Sequence, residues 1–159
     1  MRFLRPATTT QVDLGLTLLR VVTGIIFAAH GGQKLFVYGF DGVAGGFAQM
    51  GIPAAGILGP AVGLLEFFGG LALIAGFLTR PVALGLAGTM LGALFMVHLS
   101  AGFFMPNGYE FVLALFGVAM TLAITGAGAW SVDARLNARR NVGTSSVPVS
   151  SSASGRRAA

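Results

Sequence analysis

The sequence has no cysteine and very few charged residues. Without cysteine, a disulfide framework, thiol redox chemistry and cysteine-ligated metals or iron–sulfur clusters are excluded. Only 9% of the 159 residues are charged and 55% are hydrophobic. A soluble domain carries about 25% charged residues, so this chain lacks the charge to cover a water-facing surface. The composition therefore indicates an integral membrane protein.

Four apolar segments are each close to the roughly 20 residues that a helix needs to cross a bilayer. The short link at 79–80 predicts a hairpin of the second and third segments. The turn signal Met105-Pro106-Asn107-Gly108 predicts a second hairpin. The sequence therefore predicts an all-α, membrane-embedded four-helix bundle, with spans at 14–36, 57–78, 81–103 and 109–128.

The connection at 37–56 and the C-terminal segment have different patterns. Apolar residues recur at helical spacing from Phe40 through Val43 and Phe47 to Met50. They predict a short interfacial helix on the outer membrane surface; the alternative is an irregular glycine-rich loop. From Ser131 the chain becomes serine-rich and basic, which predicts a bundle domain at 1–130 and a disordered cytoplasmic tail at 131–159.

The basic residues are distributed unevenly between the two predicted sides of the membrane. Eight arginines fall on the side of the termini, whereas Lys34 alone falls on the other side and Arg20 lies within the first span. Because basic residues concentrate on the cytoplasmic side, both termini are predicted to be cytoplasmic. The net charge of +5 is thus explained by topology, and no nucleic-acid partner is predicted.

The first predicted span carries polar residues along one face. At about 100° per residue, Arg20, His30 and Lys34 fall within about 80° of each other. Gly24 and Gly31 lie near the same stripe, where small residues permit close approach of another helix. Since charged groups inside a bilayer are tolerated mainly when they face the bundle interior, this face is predicted to be buried.

Depth along the helices, counted at about 1.5 Å per residue, predicts partners for these groups. Glu66 falls near the bilayer centre, His98 falls at the depth of His30, and Glu110 falls near the outer boundary. The predicted layers are Arg20 with Glu66, His30 with His98, and Lys34 with Glu110.

The predicted polar interior suits proton transfer. Histidine titrates near neutral pH, and burial favours the neutral form of a carboxyl group. Simpler explanations stay open: interfacial side chains reaching water, an arginine–carboxylate pair that fixes helix register, and histidines bonded to nearby carbonyl groups. No metal site is predicted, because neither HxxxH nor ExxH spacing is present. The candidate catalytic residues are His30, Glu66, His98 and Glu110, and the candidate cofactor-binding residues are Arg20, His30, Lys34 and His98.

Several short motifs occur along the chain between residues 13 and 136. They are Leu19-Arg20, His30-Gly31-Gly32-Gln33-Lys34, Glu66-x-x-Gly69-Gly70, Gly76-Phe77-Leu78-Thr79-Arg80, His98 before Gly102-Phe103, and Gly126-x-Gly128-x-x-Ser131-x-Asp133. With these motifs the chain resembles the DoxX family of small bacterial membrane proteins. The resemblance implies a four-helix protein of the bacterial plasma membrane. It also implies, as for some members, a link to membrane oxidoreductase complexes with soluble redox partners.

Three functions are compatible with the sequence. The first is a quinone-interacting or accessory subunit of a membrane oxidoreductase complex, with quinone as the cofactor and a soluble protein as the electron source. The second is a transporter or channel for a small solute or proton. The third is a structural membrane anchor for a partner protein. The lipid bilayer is the expected environment in each case, and a homo-oligomer is compatible with all three.

Overall fold

A computed structural model describes residues 6–144 of the chain, with side chains over 6–140. All regular elements in this range are helical, which confirms the predicted all-α class. Two π-helical segments, Gln33–Tyr38 and Leu94–His98, extend the first and fourth helices, and a 3₁₀ turn follows at Leu99–Ala101. The α-helices are α1 (Thr9–Gly32), α2 (Gly39–Gln49), α3 (Ala55–Ala75), α4 (Thr79–Ala93), α5 (Glu110–Thr125) and α6 (Val132–Thr144).

Three helical stretches are long and apolar enough to cross a membrane: Thr9–Gln49, Ala55–Ala75 and Thr79–Ala101. Helix α5 is apolar but shorter. Its 16 residues reach about 24 Å, and it packs beside α4 and α1. The predicted membrane-embedded four-helix bundle is therefore confirmed, with α1, α3, α4 and α5 as its members.

The predicted short helix between the first two spans is present as α2. It begins at Gly39, whose positive φ of 68° bends the chain out of the preceding π-helical segment. Its buried Val43 packs on α3, with Cγ1 3.1 Å from where a Cβ on Gly59 would stand. The helical period of the apolar residues is thus confirmed, while a position of α2 on the outer membrane surface remains a prediction.

Glycine allows α1 and α3 to cross in direct backbone contact. A Cβ on Gly31 would stand 2.2 Å from the backbone nitrogen of Phe67, and one on Gly70 would stand 2.4 Å from that of Ala28. A Cβ on Gly24 would stand 2.6 Å from the carbonyl oxygen of Gly70. The close approach predicted from Gly24 and Gly31 is therefore confirmed.

The four long helices share one apolar core. Phe27 from α1, Leu73 from α3, Leu86 from α4 and Leu122 from α5 are each at most 1% exposed. They belong to one cluster of packed side chains. This core packs the four helices against one another. We call the end with the connections at 50–54 and 102–109 the loop end, and the end with residues 76–78 and 126–131 the terminal end.

The prediction of disorder from residue 131 is wrong over Val132–Thr144, because these residues form α6. Local hydrogen bonds start the helix: Ser131 Oγ accepts from the backbone N–H of Ala134, at 3.1 Å. The N–H of Asp133 donates to the carbonyl of Gly76 at 2.9 Å, which ties α6 to the bundle. Residues 145–159 of the predicted tail lie outside the described residues, and the domain boundary at 130 remains a prediction.

Two aspartates fasten the terminal end. Asp133 accepts from the backbone N–H groups of Leu78 and Thr79, at 2.8 and 2.9 Å, and so caps the start of α4. Asp13 on α1 accepts from the N–H of Ala129 at 2.9 Å. Two of the chain's five acidic residues are therefore used to hold backbone.

Candidate functional site

Arg20 is buried at the terminal end and does not pair with Glu66, so this predicted layer is wrong. Its guanidinium donates to the carbonyl oxygens of Leu73 and Ile74, at the C-terminal end of α3. It also donates to the carbonyl of Trp130, at 3.0 Å. A cation at the negative end of a helix is favourable, and these bonds give Arg20 a structural role that joins three segments.

Glu66 instead forms an ion pair with Lys34, between the Lys34 Nζ and Glu66 Oε2 atoms. The Glu66 side chain is 4% exposed and that of Lys34 is 22% exposed. Within residues 6–140 this is the one ion pair that the structure contains. A carboxylate this deeply buried needs its cation, since an unpaired buried charge is strongly unfavourable.

The direction of side chains on antiparallel helices explains why Lys34, and not Arg20, reaches Glu66. Each Cα–Cβ bond tilts toward the N-terminus of its own helix. Helix α1 runs toward the loop end and α3 runs away from it, so Lys34 leans inward while Glu66 leans outward to meet it. Lys34 lies level with Gly63, three residues before Glu66. Arg20 leans in the same direction as Lys34, toward the N-terminus of α1, and so reaches the end of α3 and points away from Glu66.

The third predicted layer, Lys34 with Glu110, is also wrong. Glu110 begins α5, and its Oε1 accepts from the backbone N–H of Met105 at 2.8 Å. This bond closes the loop before α5, in which the N–H of Glu110 itself donates to the carbonyl of Phe103. Glu110 therefore lies apart from the lysine–carboxylate pair and stabilises the loop beside it.

A cavity of about 230 Å³ brings the two histidines together between α1, α4 and α5 at the loop end. His30 and His98 both line it, as do Lys34 and Glu66. The two histidines thus line one cavity, but His30 is exposed, so the predicted burial of this face of α1 is confirmed for Arg20 and wrong for His30. The His30 ring lies beside Phe111, with centroids 6.4 Å apart. The Nδ1 atom of His98 lies 2.9 Å from the carbonyl oxygen of Asn107, the carbonyl contact that the sequence left open for a histidine.

A larger groove of about 480 Å³ lies on the other side of the ion pair, between α2, α3 and α4. Its apolar wall includes Phe47 from α2, Val62 from α3 and Val97 after α4. The groove and the smaller cavity share one wall, made of Lys34, Glu66, Met90, Ala93 and His98. The ion pair therefore lies at the boundary between two spaces, a position that no depth count along single helices could find.

Glycine on α4 keeps the larger groove open. Gly85, Gly88 and Gly92 line it at spacings of three and four, which place them on one helix face. A Cβ on Gly88 or Gly92 would meet nothing within 4 Å. Sequence analysis missed this face, although the glycine spacing was a visible signal for it.

Lys34 and His98 both lie in π-helical segments, near the loop ends of α1 and α4. Short π-helical stretches occur frequently at functional sites, where they redirect side chains. Each segment ends near a glycine of positive φ, Gly39 at 68° and Gly102 at 82°. The π-helical turns themselves could not be predicted from the sequence, because their residues keep a helical apolar pattern.

Comparison with known proteins identifies the class. Residues 15–99 match the DoxX family. The chain is 39% identical over 131 residues to "Inner membrane protein YqjF" of Escherichia coli (strain K12), covering 79% of this chain and 94% of that protein. It is 33% identical over 121 residues to "Putative oxidoreductase CatD" of Bacillus subtilis (strain 168), covering 76% and 86%. No solved structure matches the chain.

The chain therefore belongs to the DoxX family. Together with its membrane-spanning helices, this makes it a multi-pass protein of a bacterial membrane.

Proposed function

We propose that this protein is a quinone-interacting subunit of a membrane oxidoreductase complex and that a soluble redox protein supplies its electrons. The observation that carries the proposal is the buried Lys34–Glu66 pair in the wall between two cavities. One relative is named as an oxidoreductase, which supports redox chemistry as the class. The proposed orientation has both termini in the cytoplasm, from the distribution of arginines.

The larger groove fits the ring of a lipid-soluble compound. Its volume of about 480 Å³ falls within the roughly 300–1,000 Å³ of small-molecule sites. Most of its lining is apolar, with polar groups confined to one wall, as is typical of such sites. Exposed residues, Leu58, Gly88 and Met96, lie among those lining the groove, so a ligand dissolved in the membrane has a lateral entrance.

The polar wall supplies the hydrogen-bonding groups that a quinone needs. Reduction of a quinone to a quinol takes up two electrons and two protons. The Lys34 ammonium donates hydrogen bonds and the His98 imidazole donates or accepts them, so both suit a quinone carbonyl oxygen. In this proposal the Glu66 carboxylate accepts each proton from the smaller cavity, which His30 and His98 line, and passes it to the reduced quinone in the groove. Glu110 acts in this scheme by holding the loop.

The packed core of the bundle favours this proposal over transport. Both cavities lie at the loop end, whereas Leu73, Leu86 and Leu122 are fully buried in the core and line neither cavity. A solute path through the protein requires this core to open. A purely structural anchor has no need for an open apolar groove beside a buried ion pair.

Filling the groove is expected to abolish quinone binding without unfolding the protein. Gly88→Leu places a side chain in the groove, where its Cβ meets nothing within 4 Å. We expect decylubiquinone to bind the purified wild-type protein saturably, and Gly88→Leu to weaken that binding by about tenfold or more. The measurement is isothermal titration calorimetry in detergent.

The matched control is Gly117→Leu on α5, which also meets nothing within 4 Å and is exposed outside both cavities. It is expected to bind decylubiquinone like the wild type. Equal binding by the two variants would remove the groove as the site. Solute flux in liposomes that depends on Glu66 would favour the transport alternative instead.

A further inference from the structure

A cavity of about 900 Å³ lies at the terminal end, at the opposite end of the bundle from the lysine–carboxylate pair. It is formed by the start of α4, the turn at 125–128 and one face of α6. Three arginines line it: Arg80 from α4, and Arg139 and Arg140 from α6. None of these residues has a role in the proposed quinone chemistry.

None of these arginines forms an ion pair with a carboxylate within residues 6–140. The chain has only five acidic residues, and within residues 6–140 the one ion pair is Lys34–Glu66. Asp133 also lines the cavity, but both of its oxygens accept from the backbone N–H groups at the start of α4. With three arginines and one carboxylate in its lining, the cavity carries an excess of positive charge, so an anion in that space is favoured.

The arginine at the start of α4 lies beside the turn after α5. A Cβ on Gly126 would stand 3.2 Å from the Nε atom of Arg80, so the guanidinium lies against this turn. Gly126 has a φ of 86°, a conformation that glycine adopts readily. The cavity therefore takes one guanidinium from α4, beside the turn, and two from α6.

One part of the cavity wall is apolar. Phe77, Leu78 and Leu136 line it and are exposed. A free phosphate makes no favourable contact with apolar side chains, whereas a phospholipid presents a phosphate and acyl chains together. The terminal end is also where a membrane-spanning bundle meets the lipid headgroups, and basic pockets at this level bind anionic headgroups.

We propose that this cavity binds the phosphate of an anionic phospholipid, with Arg80, Arg139 and Arg140 contacting the headgroup and the apolar wall contacting the acyl chains. The arginine fork suits phosphate oxygens, which it binds in bidentate fashion. Occupancy joins α4 to α6, so the lipid stabilises the attachment of the C-terminal helix. This site is independent of the proposed quinone groove.

The test uses the protein's single tryptophan, Trp130, which immediately precedes the cavity residue Ser131. The full-length protein is purified in a zwitterionic detergent and titrated with dihexanoylphosphatidylglycerol, dihexanoylphosphatidylcholine or inorganic phosphate. We expect dihexanoylphosphatidylglycerol to change the Trp130 fluorescence saturably, and to do so at a lower concentration than the other two compounds. Arg80→Gln with Arg140→Gln should weaken that response by about tenfold, since each arginine contributes to anionic lipid binding.

The control is Arg135→Gln, which removes an arginine of α6 that does not line the cavity and should respond like the wild type. The thermal unfolding midpoint of each variant without lipid shows whether the variant is folded. If the double variant is not folded, Arg140→Gln alone is titrated. This single variant should weaken the fluorescence response by several-fold. Equal responses to both lipids would overturn the proposal, as would an equal loss in Arg135→Gln. If inorganic phosphate binds as tightly as dihexanoylphosphatidylglycerol, the site belongs to soluble phosphate compounds and the lipid assignment is overturned.

Discussion

Replacing Lys34 with methionine should destabilise the protein by about 3–5 kcal/mol, because it leaves the Glu66 carboxylate buried without its cation. Glu66→Gln should also destabilise it, by leaving the Lys34 ammonium without its anion. The double variant should lose less than the sum of the two single losses, because no unpaired charge remains. The measurement is the free energy of unfolding in detergent, with denaturant as the variable.

Arg20 provides the matched control for this cycle. Arg20→Gln removes hydrogen bonds to the end of α3 and to Trp130, none of which involves Glu66. The stability lost in Arg20→Gln should therefore add to the stability lost in Glu66→Gln. The pairing would be contradicted if the stability losses of the Lys34 and Glu66 variants simply added in the double variant. It would also be contradicted if the Arg20 and Glu66 double variant lost clearly less than the sum of its single losses.

Gly31→Ala should disrupt the crossing of α1 and α3. Its Cβ would stand 2.2 Å from the backbone nitrogen of Phe67, and backbone cannot move aside as a flexible side chain can. Separating the helices costs packing over the whole crossing, so we expect a loss of about 1–3 kcal/mol or more. The thermal unfolding midpoint in detergent measures it.

The control for the crossing is Gly15→Ala on the same helix, where a Cβ meets nothing within 4 Å. Alanine has less conformational freedom than glycine to lose on folding. The variant should therefore leave the thermal unfolding midpoint unchanged or slightly higher. If both alanine variants behave alike, the backbone contact between α1 and α3 is not as close as described.

The bundle could be predicted from sequence because its signals are local. Apolar length gave the spans, and the angular positions of Gly24 and Gly31 gave the packed face of α1. The helix bounds shifted by a few residues, because caps such as Thr8 extend the helices beyond their apolar cores.

The pairing of charges could not be predicted, because it depends on relations between helices. Counting residues from helix midpoints placed Cα atoms at depths but ignored the tilt of side chains toward each helix N-terminus. That tilt carries Lys34 to Glu66 and turns Arg20 away from it. The helix α6 was missed for a similar reason: its start depends on Asp133 bonding to residues 76–79, contacts distant in sequence.

The proposed roles of His30, Glu66 and His98 rest on the groove holding a quinone. The most direct measurement is solvent extraction of the wild-type protein, purified in mild detergent from bacterial membranes, followed by mass analysis of the bound small molecules. A quinone should be present in an amount close to that of the protein, retained in Gly117→Leu and lost in Gly88→Leu. The absence of quinone from the wild type, or equal amounts in both variants, would contradict the account.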